Sequence, residues 1–290
     1  MSASAPPAYG PSALGGGLRR FVELTLTLAR TDFKLRYFGS ALGYVWSLMR
    51  PLLFFGVLFL FFTKILNVGK GIPHYGVYLL TGIVLWNYFA EATGNSVNCL
   101  LAREALLRKM RFPRMVIPLA VSLTAGFNLA MNSIVVVVFA LASGVTPTPR
   151  WLEMLPIVLG FVVLATGIGM LLSVLYVSFR DIAPIWEVAA LAWFYCSPIM
   201  YTATNYADHF GSTFAKLAML NPVATLLTQM GHSFIGPDAV VAGTHTPAFP
   251  AAASVAGVGP TVISVAIMPA VLALGWWFFT RQAPRVAENL

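Results

Sequence analysis

Long apolar runs, separated by short charged or Pro- and Gly-rich segments, dominate this sequence. A helix needs about 20 mostly apolar residues to cross the hydrocarbon core of a bilayer. Runs of this kind predict membrane spans over residues 44–65, 77–101, 115–141, 155–177, 184–201 and 258–280. We therefore predict an all-α integral membrane protein with six transmembrane helices, in a single domain over residues 18–290.

A further apolar stretch, residues 214–235, is interrupted by Asn221-Pro222. Proline cannot continue a helix, because it lacks the backbone N–H and clashes with the preceding turn. Broken backbone at membrane depth is stable only where it is buried in protein or lines a cavity. This pattern predicts a broken re-entrant hairpin before the last span. The Ala-, Gly-, Pro- and Thr-rich residues 236–257 predict a loop.

The N-terminal part of the chain divides into two segments of different composition. Residues 1–17 are rich in Ala, Pro, Ser and Gly and lack the pattern of a signal peptide, so we predict a flexible tail. Residues 18–38 predict an amphipathic helix in the membrane interface, acting either as a surface anchor or as a lever on a cytoplasmic partner. Its apolar face holds Phe21, Leu24, Leu28, Thr31, Leu35 and Phe38, and its polar face Arg20, Glu23, Thr27, Arg30 and Lys34.

The composition agrees with a membrane protein and excludes several other classes. Of the 290 residues, 58% are hydrophobic and 10% are charged, and the mean hydropathy is +0.79. A soluble domain carries roughly 25% charged residues, because its surface faces water. These values exclude a soluble enzyme, a nucleic-acid-binding module and a disordered chain. We expect no nucleic-acid partner despite the net charge of +8.

The distribution of basic residues predicts the orientation in the membrane. Fourteen of the 18 Lys and Arg fall in the N-terminal segment, in residues 103–114, at Arg180 and in the C-terminal tail. Only Lys64, Lys70, Arg150 and Lys216 fall on the opposite side. Because Lys and Arg accumulate in cytoplasmic loops, we predict that both termini are cytoplasmic.

Residue patterns for catalysis or metal binding are absent from the sequence. It contains no Gly-x-x-x-x-Gly-Lys-Ser/Thr phosphate loop, no metal-type His/Cys cluster and no paired-carboxylate site of a membrane glycosyltransferase. We therefore expect no cofactor or metal in this chain and no catalysis by it alone. Cys99 and Cys196 lie in apolar stretches, which predicts two buried thiols and no disulfide.

Glu91 is the one acidic residue well inside a predicted span. An intramembrane acid can belong to a proton pathway. It can equally serve structure by hydrogen bonding to Asn87 or Asn95, which lie four residues away on the same helical face. We favour the structural interpretation, because a proton-coupled carrier would be expected to show more than one such group.

Two of the predicted cytoplasmic loops have features beyond their charge. Residues 102–113 form a basic, helix-favouring segment that ends at Phe112-Pro113, and this segment is either an orientation signal or a short rigid helix that transmits force. The loop before the fifth predicted span is very short. There Asp181 can cap the next helix, and Pro184 fits its first turn.

Several short motifs resemble those of the membrane subunits of bacterial ATP-binding-cassette polysaccharide exporters, which carry O-antigen, teichoic acid, capsule or galactan. The resemblance extends from about Leu18 to the end of the chain, outside residues 236–257. The motifs are Asp32-x-x-x-Arg36-Tyr37-x-x-Ser40-x-Leu42-Gly43-x-x-Trp46 with Pro51, Lys109-x-x-Phe112-Pro113, Ser178-Phe179-Arg180-Asp181-Ile182, Ser197-Pro198-Ile199-x-Tyr201, Asn221-Pro222 and Ala287-Glu288.

This resemblance implies a homodimeric permease of the bacterial inner membrane that moves a lipid-linked polysaccharide. ATP and Mg would be bound by two separate ATPase subunits, and a related exporter of drugs or small lipids is the alternative. The resemblance also implies an outer gate at the hairpin that contains Asn221 and Pro222. Contacts with the ATPase are predicted for Arg30, Lys34, Arg36, Arg103, Glu104, Arg108, Lys109, Arg180 and Asp181.

Aromatic residues make up 13% of the chain and cluster in the first and fifth predicted spans. Aromatic faces can contact the apolar C–H faces of sugar rings, and the resemblance places these two spans beside the dimer interface. The alternative for each residue is packing against lipid or a neighbouring helix. The predicted substrate path consists of Tyr44, Trp46, Phe59, Trp193 and Tyr195.

Overall fold

The computed structural model describes residues 17–37, 43–69, 71–104 and 113–289, and within these ranges the chain is helical and has no β-strand. An isolated antiparallel bridge joins Val240 to Pro247. The α-helices are α1 (Leu18–Tyr37), α2 (Gly43–Leu60), α3 (Tyr75–Val97), α4 (Val116–Ala142), α5 (Met154–Ser178), α6 (Ile182–Cys196), α7 (Thr204–Phe210), α8 (Ser212–Ala218), α9 (Pro222–Phe234), α10 (Ala252–Ala256) and α11 (Val258–Asn289). Shorter turns are the π-helical Phe61–Ile65 and the 3₁₀ turns Leu101–Arg103 and Pro149–Glu153.

Four helical stretches in the described part of the chain are long and apolar enough to cross a membrane. They are Val45–Ile65, Val116–Ala142, Pro149–Ser178 and Val258–Gln282, and they match the first, third, fourth and sixth predicted spans. The all-α, multi-pass character predicted from the sequence is therefore confirmed. The count of six remains a prediction.

The other two predicted spans form helices that are shorter than expected. The run predicted at 77–101 ends as an α-helix at Val97, and the run predicted at 184–201 ends at Cys196. Ser197 is extended because it precedes Pro198, whose ring disfavours helical backbone at the preceding residue. Helix α6 has 15 residues, so at about 1.5 Å per residue it is shorter than the roughly 30 Å hydrocarbon core.

Helix α3 lies at the centre of the bundle and contacts α2, α4, α5 and α6. Its side chains Tyr78, Leu79, Ile83 and Phe89 are almost fully buried. Close contacts of these side chains with the surrounding helices hold the bundle together around α3, since each buried large apolar side chain gains many small dispersion contacts. The helix therefore offers only a narrow face to the outside of the chain.

The most extensive helix pair is α5 with α11. A Cβ atom on Gly275 would lie 2.3 Å from the carbonyl oxygen of Gly167, so the two backbones touch at this crossing. Small residues allow such close approach between membrane helices, where dispersion replaces the hydrophobic effect as the source of packing energy.

The amphipathic helix predicted over residues 18–38 is present as α1, but the side that packs on the bundle differs in part from the predicted apolar face. Ala29 is fully buried and Tyr37 nearly so, whereas Leu35 of the predicted apolar face is 67% exposed. Helix α1 contacts α4 through the Ala29 side. Phe21, Leu24 and Leu28 of the predicted apolar face are half-buried, so the buried side of α1 overlaps that face only in part, and its exposed remainder is available to a membrane surface.

The predicted break at Asn221-Pro222 is confirmed as the boundary between α8 and α9. Pro222 occupies the first turn of α9, where a missing N–H costs no hydrogen bond. The Asn221 side chain caps that helix, because its Oδ1 accepts a hydrogen bond of 3.0 Å from the backbone N–H of Val223. The membrane depth of this hairpin remains a prediction.

The loop predicted over residues 236–257 is mostly irregular, with the short helix α10 as the exception. Ala248 and Phe249 are buried, and Phe249 packs on Tyr78 of α3 with ring centroids 5.0 Å apart. The segment therefore packs against the N-terminal half of α3.

Candidate functional site

A groove of about 780 Å³ runs between α2, α3 and α6 and is called here the lateral groove. Phe54 of α2, Trp86 and Asn87 of α3, and Trp186 and Tyr195 of α6 are among its lining residues. This volume lies within the range of roughly 300–1,000 Å³ that ligand pockets occupy. The groove combines aromatic faces with a few polar groups in an otherwise apolar protein.

Packing of α6 on α3 forms an aromatic wall, in which Trp186 lines the lateral groove whereas Phe89 and Trp193 lie behind it. Phe89 lies between two indoles, with ring centroids 6.4 Å from Trp186 and 5.3 Å from Trp193. The two tryptophans are seven residues apart, which is two helical turns, so they share one face of α6. Sequence reasoning missed Trp186, although its spacing from Trp193 was a usable signal.

The predicted substrate-path residues fall into two environments. Trp46 and Tyr195 are each 60% exposed, and Tyr195 lines the lateral groove. Phe59 is half-buried against the core, with its ring centroid 5.5 Å from that of Phe55 and 6.5 Å from that of Tyr75. The side chain of Tyr44 lies outside the described part of the structure.

Trp193 links the aromatic wall to the predicted outer gate. Its Nε1–H donates a hydrogen bond of 2.8 Å to Asn221 Oδ1, and Asn221 Nδ2 donates to Ser197 Oγ at 3.2 Å. Asn221 therefore holds the end of α6, the Ser197 turn and the first turn of α9 together. The predicted path and the predicted gate meet at this one side chain.

Two phenols hold the C-terminal end of α6. Tyr201 donates to the carbonyl oxygen of Tyr195 at 3.0 Å, and Tyr206 donates to that of Cys196 at 2.7 Å. Burial raises the pKa of the Tyr206 phenol, so it stays a neutral donor at physiological pH. Cys99 is buried as predicted, but Cys196 is exposed, because no element in the described part of the chain covers its side of α6.

A polar cluster joins α1 to the bundle and is called here the α1 latch. Arg36 forms an ion pair with Glu91 of α3, and Asp32 forms one with Arg103. Asn128 of α4 donates to Glu91 at 2.7 Å. The predicted bonds from Glu91 to Asn87 or Asn95 are wrong, because α1 approaches this point of α3 and supplies a guanidinium.

The α1 latch extends to Tyr37 and encloses a small cavity. The Tyr37 hydroxyl donates to Asn128 Oδ1 at 2.7 Å. A cavity of about 250 Å³ lies beside the latch and is lined by Asp32, Arg36, Asn95 and Arg103, among others. Charged groups of opposite sign are thus paired where α1 meets the spanning helices.

The structure separates the residues predicted to contact an ATPase. Arg30 and Lys34 are exposed on α1, whereas Arg36 and Arg103 pair within the chain. Glu104 is half-buried, and Arg180 and Asp181 are exposed in the turn before α6, with the Arg180 guanidinium 5.3 Å from the Tyr176 ring centre. Arg108 and Lys109 lie outside the described residues.

Two further sequence expectations concern caps and metals. Asp181 precedes α6, but its side chain makes no capping hydrogen bond, because the residue has helical backbone angles. Pro184 lies in the first turn of α6, as predicted. Within the described ranges, no three His, Cys, Asp or Glu side chains group in a way that could hold a metal ion.

These features define a multi-pass helical membrane protein with an aromatic-lined groove on its side. The ABC-2 type transporter family matches residues 23–234, which is most of the chain, and the protein belongs to that family. An O-antigen export system permease protein RfbA of Klebsiella pneumoniae is 32% identical over 214 residues, covering 73% of this chain and 80% of the relative. A Myxococcus xanthus protein of the same name is 28% identical over 212 residues, with the same coverage. Family membership implies a partnership with ATP-binding-cassette ATPase subunits.

Proposed function

We propose that this protein is the channel-forming subunit of an ATP-driven exporter that moves a lipid-linked polysaccharide outward across the bacterial cytoplasmic membrane. The lateral groove is the observation that carries the proposal, because it lines one side of the bundle with both aromatic rings and amides. Similarity to O-antigen export permeases supports this class of substrate. Two copies of the chain work with two ATPase subunits.

A sugar polymer needs a path that tolerates many hydroxyls and binds none of them tightly. Conduction requires binding that is strong enough for entry and weak enough for release. The rings of Trp186 and Tyr195 offer apolar contact with little hydrogen bonding, which suits this balance. A second copy closes the groove into a conduit, while the lipid anchor stays in the bilayer beside it.

Through the α1 latch, a movement that ATP hydrolysis causes in α1 can be transmitted to the membrane helices. Exposed Arg30 and Lys34 on α1 are available to a partner, and Arg36 on the same helix pairs with Glu91 of α3. Asp32 ties α1 to Arg103, which directly precedes the second predicted contact segment. A displacement of α1 is therefore passed to α3, which lines the groove.

The decisive experiment uses the chain co-purified with its ATPase and reconstituted in vesicles. We expect lipid-linked glycan from the native host to stimulate ATP turnover and to become protected inside inverted vesicles. Stimulation by small amphiphiles instead of the glycan would support the alternative exporter class and contradict the proposal. Deletion of the gene should leave completed lipid-linked polymer on the inner face.

A charge-reversal variant serves as the control for coupling. Arg108→Glu with Lys109→Glu should retain membrane insertion and ATPase binding at high protein concentration but lose glycan-stimulated turnover. A matched variant, Arg150→Glu, reverses charge on the predicted outer side and should leave coupling intact. Normal coupling in the Arg108/Lys109 variant would remove these residues from the ATPase contact.

A further inference from the structure

Helix α3 presents one polar face along its C-terminal half, here called the amide stripe. Its exposed residues are Asn87, Gly94 and Asn95, and the exposed Asn98 follows at its C-cap. Asn87 and Asn95 are eight residues apart and Asn95 and Asn98 three, which places them on one side of the helix, with half-buried Glu91 four residues from each of the first two. Most other positions of α3 are buried, so the outward face of this central helix is made of amides and a glycine.

The amides of the stripe have no hydrogen-bond partner in the described part of the chain. Glu91, in contrast, is paired with Arg36 and Asn128. Placing an amide without a hydrogen-bond partner in hydrocarbon costs several kcal/mol, so contact of all three amides with lipid tails would be strongly unfavourable. The stripe therefore faces water or a polar ligand.

The position of the stripe connects two cavities of the chain. Asn87, Gly94 and Asn98 line the lateral groove, across from Trp186 and Tyr195 on α6. Asn95 and Asn98 line the smaller cavity beside the α1 latch. Asn98 belongs to both, so the stripe is a continuous polar surface from the α1 side of the molecule into the groove.

We propose that the amide stripe is a hydroxyl-binding ladder for the glycan chain, an inference that rests on the proposed function. Each amide both donates and accepts hydrogen bonds and carries no net charge, so it can exchange one hydroxyl for the next. At about 1.5 Å per residue, Asn87 and Asn95 are about 12 Å apart along the helix axis, and Asn95 and Asn98 about 4.5 Å, so the amides can contact different sugars of one chain. Aromatic rings on α6 contact the C–H faces of the same chain.

Gly94 gives the ladder the space that a sugar ring requires. A Cβ atom at this position would meet no atom within 4 Å, so the groove is open there. A large side chain at Gly94 would project into the path and leave the packing of α3 unchanged. Gly126 on α4 is a matched site, because it is also helical with no atom within 4 Å and lines neither cavity.

Cysteine labelling tests whether the amide stripe is accessible to water in the assembled transporter. In a Cys99→Ala, Cys196→Ala background, Asn87→Cys, Asn95→Cys and Asn98→Cys are treated with a charged, water-soluble methanethiosulfonate in the assembled transporter. We expect labelling several-fold faster than for Ile134→Cys and Val138→Cys, which occupy an exposed apolar face of α4. Equally slow labelling would mean that lipid or a second copy covers the stripe, and this overturns the ladder.

Glycine variants test whether the glycan uses the stripe. Gly94→Leu should lower surface polysaccharide several-fold in a deletion strain at normal abundance and dimerisation, whereas Gly126→Leu should restore export fully. If Gly94→Leu instead breaks the dimer, the stripe is an interface between copies and the proposal fails. If wild type and Gly94→Leu rescue the deletion strain equally, the proposed function stands and the ladder is overturned.

Discussion

The indole N–H of Trp193 donates a hydrogen bond of 2.8 Å to Oδ1 of Asn221, joining α6 to the first turn of α9. The same oxygen accepts the capping bond from Val223 N. Any movement of α9 therefore changes the geometry at the end of the aromatic wall. This bond links the aromatic wall behind the lateral groove to the predicted outer gate.

The Trp193–Asn221 bond should be energetically coupled to the cap of α9. Asn221→Ala removes the cap and the acceptor, so the free energy of unfolding should fall by about 1–3 kcal/mol. Trp193→Phe keeps an aromatic ring and removes one donor, and should cost about 1 kcal/mol. A double-mutant cycle on thermal unfolding of the purified protein checks this. Strictly additive losses would show that the bond does not form in the membrane.

The Arg36–Glu91 ion pair should tolerate exchange of its partners. Arg36→Glu and Glu91→Arg alone each place like charges together, so we expect reduced thermal stability and less export per ATP. The double exchange should recover both, because Asn128 can turn its amide oxygen toward the new guanidinium. A coupling free energy of about 0.5–3 kcal/mol is expected for groups in contact. Failure of the exchange to recover export per ATP would remove the pair from the coupling route.

The predicted path residues should divide according to their surroundings. Trp46→Ala and Tyr195→Ala should lower export and spare abundance, because both rings are largely exposed in the single chain. Phe59→Ala should lower the free energy of unfolding by about 1–3 kcal/mol, because this half-buried ring packs against Phe55 and Tyr75. Export assays and thermal unfolding on the same preparations separate the two effects. Full export by the Trp46 and Tyr195 variants would contradict the aromatic path.

The crossing of α5 and α11 should not accept a methyl group. Gly275→Ala would place Cβ 2.3 Å from the Gly167 carbonyl oxygen, so the helices must separate, at a cost of about 1–3 kcal/mol. The control Gly126→Ala has open space and should be neutral or stabilise by up to about 1 kcal/mol through helix propensity. Equal unfolding temperatures for the two variants would contradict the close crossing.

The two ends of α5 should lie on opposite sides of the membrane. Arg150 and Arg180 are both exposed and flank α5, Met154–Ser178. We expect an impermeant maleimide to label Arg150→Cys in intact cells and Arg180→Cys only after permeabilisation, as the distribution of basic residues predicts. The reverse pattern would invert the predicted orientation, and labelling of both from outside would contradict a spanning α5.

Local sequence determined the features whose physical causes are local. Long apolar runs specify spanning helices because the bilayer has a fixed thickness, and the described part of the chain contains four such helices. The break at Asn221-Pro222 follows from the missing N–H of proline, and a resemblance in short motifs indicated the transporter family. These features need no knowledge of distant parts of the chain.

The tertiary structure alone decided which polar residues meet. Asp32 and Arg36 belong to a helix whose periodicity suggests a solvated polar side, yet they pair with Arg103 and Glu91, 71 and 55 positions away. Helical periodicity shows that residues share a face, but it does not show what lies opposite. The contact face of α1, the partners of Glu91 and the Trp193–Asn221 bond all depend on how separate helices pack, because a charge or an amide selects its partner by proximity in space.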